Sequence, residues 1–218
     1  MAKRQRNLRL FDMPGAEEPV EPLGYENEAR SNGFHHVAGV DEAGRGCLAG
    51  PVVAAAVILP EGVDLPGVRD SKCMTAAARE KAFQMIQLKA LAAAIGVVSP
   101  AAIDRINILR ASLEAMRRAV AALDPVADFL LVDGIHPVPV ATPQRALKKG
   151  DRICRSISAA SVLAKVYRDR LMGAYHQQYP AYAFDCNKGY GTRDHLSVLR
   201  KIGWCPIHRT TFKGVCRP

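Results

Sequence analysis

Apolar residues fall into two rhythms along this chain. Short apolar runs at 37–40, 52–59, 95–98 and 129–132 each end at a Pro, a Ser or an acidic residue. Their length and Val, Ala and Leu content predict strands buried on both faces. Between them, apolar positions recur every three or four residues, the spacing of helices packed on one side. The strongest such pattern runs over 99–123: Ser99-Pro100 offers N-cap and first-turn chemistry, and Ile103, Ile106, Leu109, Leu113, Met116, Val120 and Leu123 form one stripe ahead of Pro125. It predicts a single long helix. Further helices are expected over 75–89, over 157–177, and over 192–201, the last capped by Thr192 and stopped at Gly203. A fifth short strand is expected at 145–149, between the Pro-rich stretch 137–143 and the Gly150-Asp151 break. Alternating strands and helices predict an α/β fold.

Residues 1–34 lack this periodicity and are rich in charge, Pro and Gly, including Pro14, Gly15, Pro19, Pro22 and Gly24. They are expected to be a flexible N-terminal tail, with Arg4, Arg6 and Arg9 on a solvated extension, followed by one catalytic-sized domain over 35–218 that includes a C-terminal helical segment. The length of 218 residues suits one domain, and there is neither an internal repeat nor a low-complexity tract.

Composition sharpens the choice of partner. Thirty Lys and Arg against 21 Asp and Glu leave a net charge of +9, which favours a polyanion such as nucleic acid through counterion release. The six cysteines form no C-x-x-C pair and have no zinc-like spacing with the histidines, so they read as reduced thiols. No stretch approaches membrane-spanning length. A cytoplasmic monomer without a membrane partner is the expectation.

Two of the apolar runs end in acids. Val37-Ala-Gly-Val40 leads into Asp41-Glu42-Ala-Gly44-Arg45-Gly46, and Phe129-Leu-Leu-Val132 leads into Asp133-Gly134. On adjacent parallel strands these would project three carboxylates into the crevice at the strands' carboxyl ends, with Asp151 able to supply a fourth. Such anions repel one another unless cations join them, and oxygen-only donors select hard Mg²⁺ or Mn²⁺, two of them for four carboxylates. A single Asp at a strand end can also be a turn cap, but the adjacent pair Asp41-Glu42 cannot both be caps. The glycines at 44 and 46 allow backbone to approach a ligand closely. No Walker A, H-E-x-x-H or G-x-S-x-G string occurs.

Over about residues 36–212 the chain resembles the bacterial ribonuclease HII family. The matching strings are Gly39-Val-Asp-Glu-Ala-Gly-Arg-Gly46, Asp70-Ser71-Lys72, Val132-Asp133-Gly134, Lys149-Gly150-Asp151, Ile157-Ser-Ala-Ala-Ser161, Leu163-Ala-Lys165-Val-Tyr-Arg168-Asp169 and Lys188-Gly-Tyr190-Gly-Thr192. The resemblance implies a ribonuclease H-like fold, a five-stranded mixed sheet flanked by helices with a small C-terminal helical part. It implies metal-binding catalytic acids at Asp41, Glu42, Asp133 and Asp151, and two-metal-ion hydrolysis of RNA in RNA/DNA hybrids and 5′ of single ribonucleotides in duplex DNA, leaving 3′-hydroxyl and 5′-phosphate ends. Ribonucleotide excision and RNA primer removal would be its role. By the same resemblance the backbone of Gly44, Arg45 and Gly46 reads the 2′-hydroxyl, and Tyr190 packs on the following sugar, favouring deoxyribose there. Ser71 and Lys72 resemble contacts to the substrate strand's phosphates, with Lys165 and Arg168 as further candidates that could equally be in an ion pair with Asp169. Cys73, Asn187 and Thr210-Thr211 depart from the family pattern, two of these at possible phosphate contacts. Two other readings remain open: a different nuclease or strand transferase on this fold, which needs no 2′-hydroxyl reader, and a non-catalytic hybrid-binding module.

Overall fold

The computed structural model describes residues 23–68, 71 and 74–215. Strands β1 (Val37–Ala43), β2 (Val52–Ile58) and β3 (Ala92–Val98) pair antiparallel in succession, while β4 (Phe129–Asp133) joins the other side of β1 in parallel and β5 (Gln144–Leu147) pairs parallel to β4. The result is a five-stranded mixed sheet in the order β3-β2-β1-β4-β5.

Helices cover both faces, which is why β2 is buried along its whole length. Its alternate residues divide between two cores. Val52, Ala54, Ala56 and Ile58 pack toward α3 (Pro100–Ile106) and α4 (Ile108–Ala121). Val53, Ala55 and Val57 pack toward α2 (Ala76–Lys89) and the long α6 (Arg155–Gln178). A strand buried on both sides needs no polar alternation, so its sequence reads as a continuous apolar run. Glycine lets α6 lie directly on the sheet: a Cβ at Gly39 would stand 2.1 Å from the Ser156 carbonyl carbon. Beyond α6 the chain makes a 3-10 turn (Pro180–Tyr182), α7 (Phe184–Asn187) and α8 (Arg193–Ile202), which enclose Leu48, Met172, Tyr182, Phe184, Leu199, Cys205 and Ile207.

Two sequence expectations need correction. The helix over 99–123 is two helices, because Asn107 adopts φ +66° between α3 and α4. Its side chain then caps α4, accepting from the Arg110 amide at 3.1 Å. Asn tolerates a left-handed φ and competes for backbone donors, so it ends one helix and starts the next without interrupting the apolar stripe. The expected tail, 1–34, contains helix α1 (Gly24–Ser31). Glu26 on that helix is fully buried and accepts from the Ser156 amide at 2.6 Å, at the first turn of α6, where the positive end of the helix dipole favours a carboxylate. Residues 1–22, including Arg4, Arg6 and Arg9, lie outside the described residues. The expected strands hold with small shifts: β1 runs on through Ala43, β3 starts at Ala92, and β5 spans Gln144–Leu147. Among the described residues no helix is long and apolar enough to cross a membrane, and Cys47, Cys154, Cys186 and Cys205 are free thiols.

Candidate active site

Parallel pairing of β1 with β4 places Val40 opposite Val132, so Asp41 and Asp133 leave adjacent strands side by side. A cavity of about 280 Å³ opens there, lined by Asp41, Glu42, Asp133, residues 43–46, Ser71, Ser161, Lys165 and Tyr190. Segments that are distant in sequence therefore converge at the carboxyl ends of parallel strands, where open α/β sheets place their ligands.

Asp41 points toward α6 and is 3% exposed. Burial raises its carboxyl well above the ordinary range, and Glu42 and Asp133 raise it further by like-charge repulsion. The Ser161 hydroxyl and the Glu42 amide, the latter at 2.7 Å, oppose that shift by donating to the carboxylate. Ser161 in turn bonds Ser71 through the two hydroxyls at 2.9 Å, so Ser71 lines the cavity with its oxygen already engaged. Glu42 follows Asp41 on the opposite side of the pleat, and Arg45 holds it at 3.0 Å. Asp133 leans on the first turn of α5 (Gly150–Ile153): a Cβ on Gly150 would sit 3.4 Å from its Oδ1. Asp151, next along that turn, is buried and is not part of the cavity wall.

Asp41, Glu42 and Asp133 thus share one cavity, and Asp151 does not line it. Among the described residues no three Asp, Glu, His or Cys side chains already form a metal cage. The donor set nonetheless suits a hard divalent ion: it is all oxygen, and mutual repulsion around the buried Asp41 is the strain that a cation relieves.

The loop after β1 is held from behind. Arg168 and Arg209 are both essentially inaccessible. Arg168 donates to the carbonyls of Pro51, Lys188 and Ala49 at 3.0, 2.9 and 3.1 Å. This corrects its reading as a phosphate contact or an ion-pair partner. Lys165, not Arg168, pairs with Asp169, at 2.8 Å, and its ammonium also lies 5.7 Å from the centre of the Tyr190 ring. Gly44 has φ +96°, and a Cβ there would lie 2.0 Å from the Arg168 Nε. A Cβ on Gly46 would meet nothing within 4 Å, so the protein's own packing does not require glycine at 46. Arg209 donates to Gly44, Arg45 and Gly50 carbonyls at 2.7 to 3.0 Å. Tyr190 is 43% exposed at the cavity mouth. Lys72 lies outside the described residues.

Sequence reasoning missed Ser161, Arg209 and the structural role of Arg168. Ser161 had a signal, a hydroxyl inside the otherwise apolar 159–164 stretch. The family departures at Thr210 and Thr211 are not vacancies: their amides and hydroxyls grip both carboxylate oxygens of Asp104 at 2.6 to 3.2 Å. Asn187 spans Tyr182 and Gly189 in the same structural way.

A mixed five-stranded sheet with helices on both faces and acids at the ends of its central parallel pair defines a nuclease of the ribonuclease H-like class. The family model described as Ribonuclease HII matches residues 38–215. The chain belongs to the ribonuclease HII family, endonucleases that act on RNA–DNA hybrids. The ribonuclease HII of Geobacter sulfurreducens is 54% identical over 210 residues, covering 96% of this chain and 95% of that protein. The ribonuclease H2 from Pyrococcus horikoshii OT3 superposes with a TM-score of 0.71 at 27% identity, over 83% of this chain and 95% of that one. The Archaeoglobus fulgidus ribonuclease HII, solved in complex with PCNA, superposes at 0.64 and 25% identity, over 77% and 88%.

Proposed function

We propose that this protein cuts duplex DNA on the 5′ side of single embedded ribonucleotides as well as RNA in hybrids, by divalent-metal-dependent hydrolysis leaving 3′-hydroxyl and 5′-phosphate ends. Its role in the cell would be ribonucleotide excision and RNA primer removal in the cytoplasm, as a monomer. One observation carries the reading: acids, a backbone loop and an aromatic ring surround the same cavity, at Asp41, Glu42 and Asp133, at residues 44–46, and at Tyr190.

Asp41, Glu42, Asp133 and Asp151 would hold Mg²⁺ or Mn²⁺, two ions with substrate bound. When bound, these ions supply the Lewis acidity that polarises the scissile phosphate and activates the attacking water. The remaining work falls to the chain. Ser161 orients Asp41. A trans peptide points its C=O and N–H in opposite directions, so the grip of Arg209 on the Gly44 and Arg45 carbonyls turns the Arg45 and Gly46 amides away from the interior. Those amides are the donors offered to the 2′-hydroxyl, the one group that distinguishes RNA from DNA at a given site. Tyr190 offers a flat apolar surface to the next sugar, where a hydroxyl would be left without a partner. Lys165 and Lys72 serve the phosphates.

The test is cleavage of a labelled DNA duplex with one ribonucleotide, beside an all-DNA duplex, in Mg²⁺, in Mn²⁺ and in chelator. Cutting confined to the ribonucleotide duplex and dependent on metal is expected. Equal cutting of both duplexes, or tight binding without cutting, would defeat the reading.

A further inference from the structure

We infer that His208 and Arg209 are a positioning pair that fixes the spacing between the two sugar readers, the 44–46 backbone and Tyr190, and thereby sets the preference for an RNA-to-DNA junction. The inference rests on the function proposed above. Its basis is that two consecutive residues of the C-terminal segment each hold one reader.

Arg209 holds the first through the Gly44 and Arg45 carbonyls at 2.7 and 2.9 Å. His208 holds the second through His195, and the partners dictate where each proton sits. The Tyr190 carbonyl can only accept, so His195 Nδ1, 2.8 Å away, carries a proton and donates it. A neutral His195 then has a bare Nε2, which must accept from His208 Nε2 at 2.9 Å. That leaves His208 Nδ1 bare, and the Cys205 amide donates to it at 3.0 Å. This arrangement satisfies the run of bonds from the Cys205 amide through both imidazoles to the Tyr190 carbonyl. The Cys205 thiol, 3.2 Å from the same Nδ1, can donate to it as well, while the 3.2 Å approach of Nδ1 to the Cys205 carbonyl carries no proton. Burial keeps both imidazoles neutral by lowering their pKa values, His208 to about 4. Tyr182 and Phe184 close around the rings, at 4.8 and 5.6 Å from His208 between centroids.

The segment is itself anchored so that the two grips cannot drift apart. His208 bridges Ala49 in an antiparallel pairing, the Arg209 amide donates to the Leu48 carbonyl at 2.8 Å, and the Gly50 amide donates to the Ile207 carbonyl at 2.8 Å. The Leu48 amide donates to Gly189, next to Tyr190, also at 2.8 Å. Immediately beyond, Thr210 and Thr211 pin the chain to Asp104 of α3. The readers lie more than 140 residues apart in sequence, yet a single dipeptide joins them.

The experiment uses the full chain in Mg²⁺, at a temperature where circular dichroism shows every variant folded. kcat and KM are measured on the single-ribonucleotide duplex and on an RNA/DNA hybrid. His208→Phe keeps an aromatic ring in the box and removes the Nε2 donor, whereas His208→Gln restores an N–H at that reach. His208→Phe is expected to lower the ratio of kcat/KM between the single-ribonucleotide duplex and the hybrid by about tenfold, the direction also expected of Tyr190→Ala, and His208→Gln to recover most of it. Arg209→Lys, which cannot fork to three carbonyls, is expected to lower kcat on both RNA-containing substrates with little change in KM. A His208→Phe protein that keeps the wild-type ratio or loses both substrates in equal proportion, or an Arg209→Lys protein with wild-type kcat, would overturn the inference while leaving the function standing. A wild-type protein that cuts all-DNA duplex as well as the ribonucleotide duplex would instead refute the function.

Discussion

Replacing Arg168 by methionine separates two roles that a basic residue on a nuclease helix can have. Methionine keeps most of the side chain's length and removes the guanidinium, which donates to Pro51, Lys188 and Ala49 carbonyls at 3.0, 2.9 and 3.1 Å. Each buried carbonyl left without its donor costs about 1 to 3 kcal/mol. Against that gross loss stands the relief of no longer burying a cation whose partners are neutral carbonyls, so the net destabilisation should be about 3 to 5 kcal/mol. With a urea dependence of about 2 kcal/mol per molar, the unfolding midpoint should fall by roughly 2 M. The dependence of duplex affinity on salt should not change, because no phosphate contact is removed. A phosphate-binding Arg168 makes the opposite forecast: unchanged stability, and a slope of log affinity against log salt reduced by about 1. A midpoint within roughly 0.3 M of wild type together with that reduced slope would refute the structural role.

Asp41→Asn removes a buried charge that Glu42 and Asp133 repel, so the metal-free protein should melt no lower than wild type and up to about 2 kcal/mol more stable, while cleavage falls by about 100-fold or more. Strong destabilisation with cleavage intact would contradict both its burial and its place among the metal acids. Gly39→Ala drives a methyl to 2.1 Å from the Ser156 backbone and should cost more than about 3 kcal/mol in urea unfolding; a neutral result would show that α6 can lift off β1 freely. His208, at about 4 in the folded protein against an ordinary 6.5, binds fewer protons folded than unfolded between those values. It therefore contributes on the order of 2 kcal/mol that is present above pH 6.5 and lost as pH falls through 4. His208→Phe should flatten the stability profile in that window, and an unchanged profile would mean that the imidazole is not held neutral.

The parts of this molecule that could be read from sequence are those whose cause is local. Apolar runs marked the strands because β2 is buried on both faces, and Thr75, Ser99 and Thr192 marked helix starts because each hydroxyl accepts from the amide three residues on. The acids at the ends of β1 and β4 were legible for the same reason: a charge closing an apolar strand has little to do in a core. Helix α1 was hidden, since its polar residues are organised by a contact between Glu26 and Ser156 across 130 positions. The break at Asn107 was hidden because the stripe of apolar residues continues through it, although Asn in mid-helix is itself a warning.

Arg168 shows how far such reading could have gone. Ala160, Ala164 and Met172 are buried on α6 at intervals of four, and Arg168 completes that row. A cation at a core position of a helix must spend its donors on something inside, and with Asp169 already committed to Lys165, backbone carbonyls remain as the acceptors. Arg209 carries no such periodic signal because it lies in irregular chain. Its burial follows only from the pairing of residues 207–209 with 48–50. Both guanidiniums end on the loop that follows β1, from elements that share no local pattern with it. In this fold, then, the acids that would hold the metal belong to the regular framework and can be read from it, whereas the loop geometry that would read the sugar depends on distant residues whose role emerges only once the chain has closed around them.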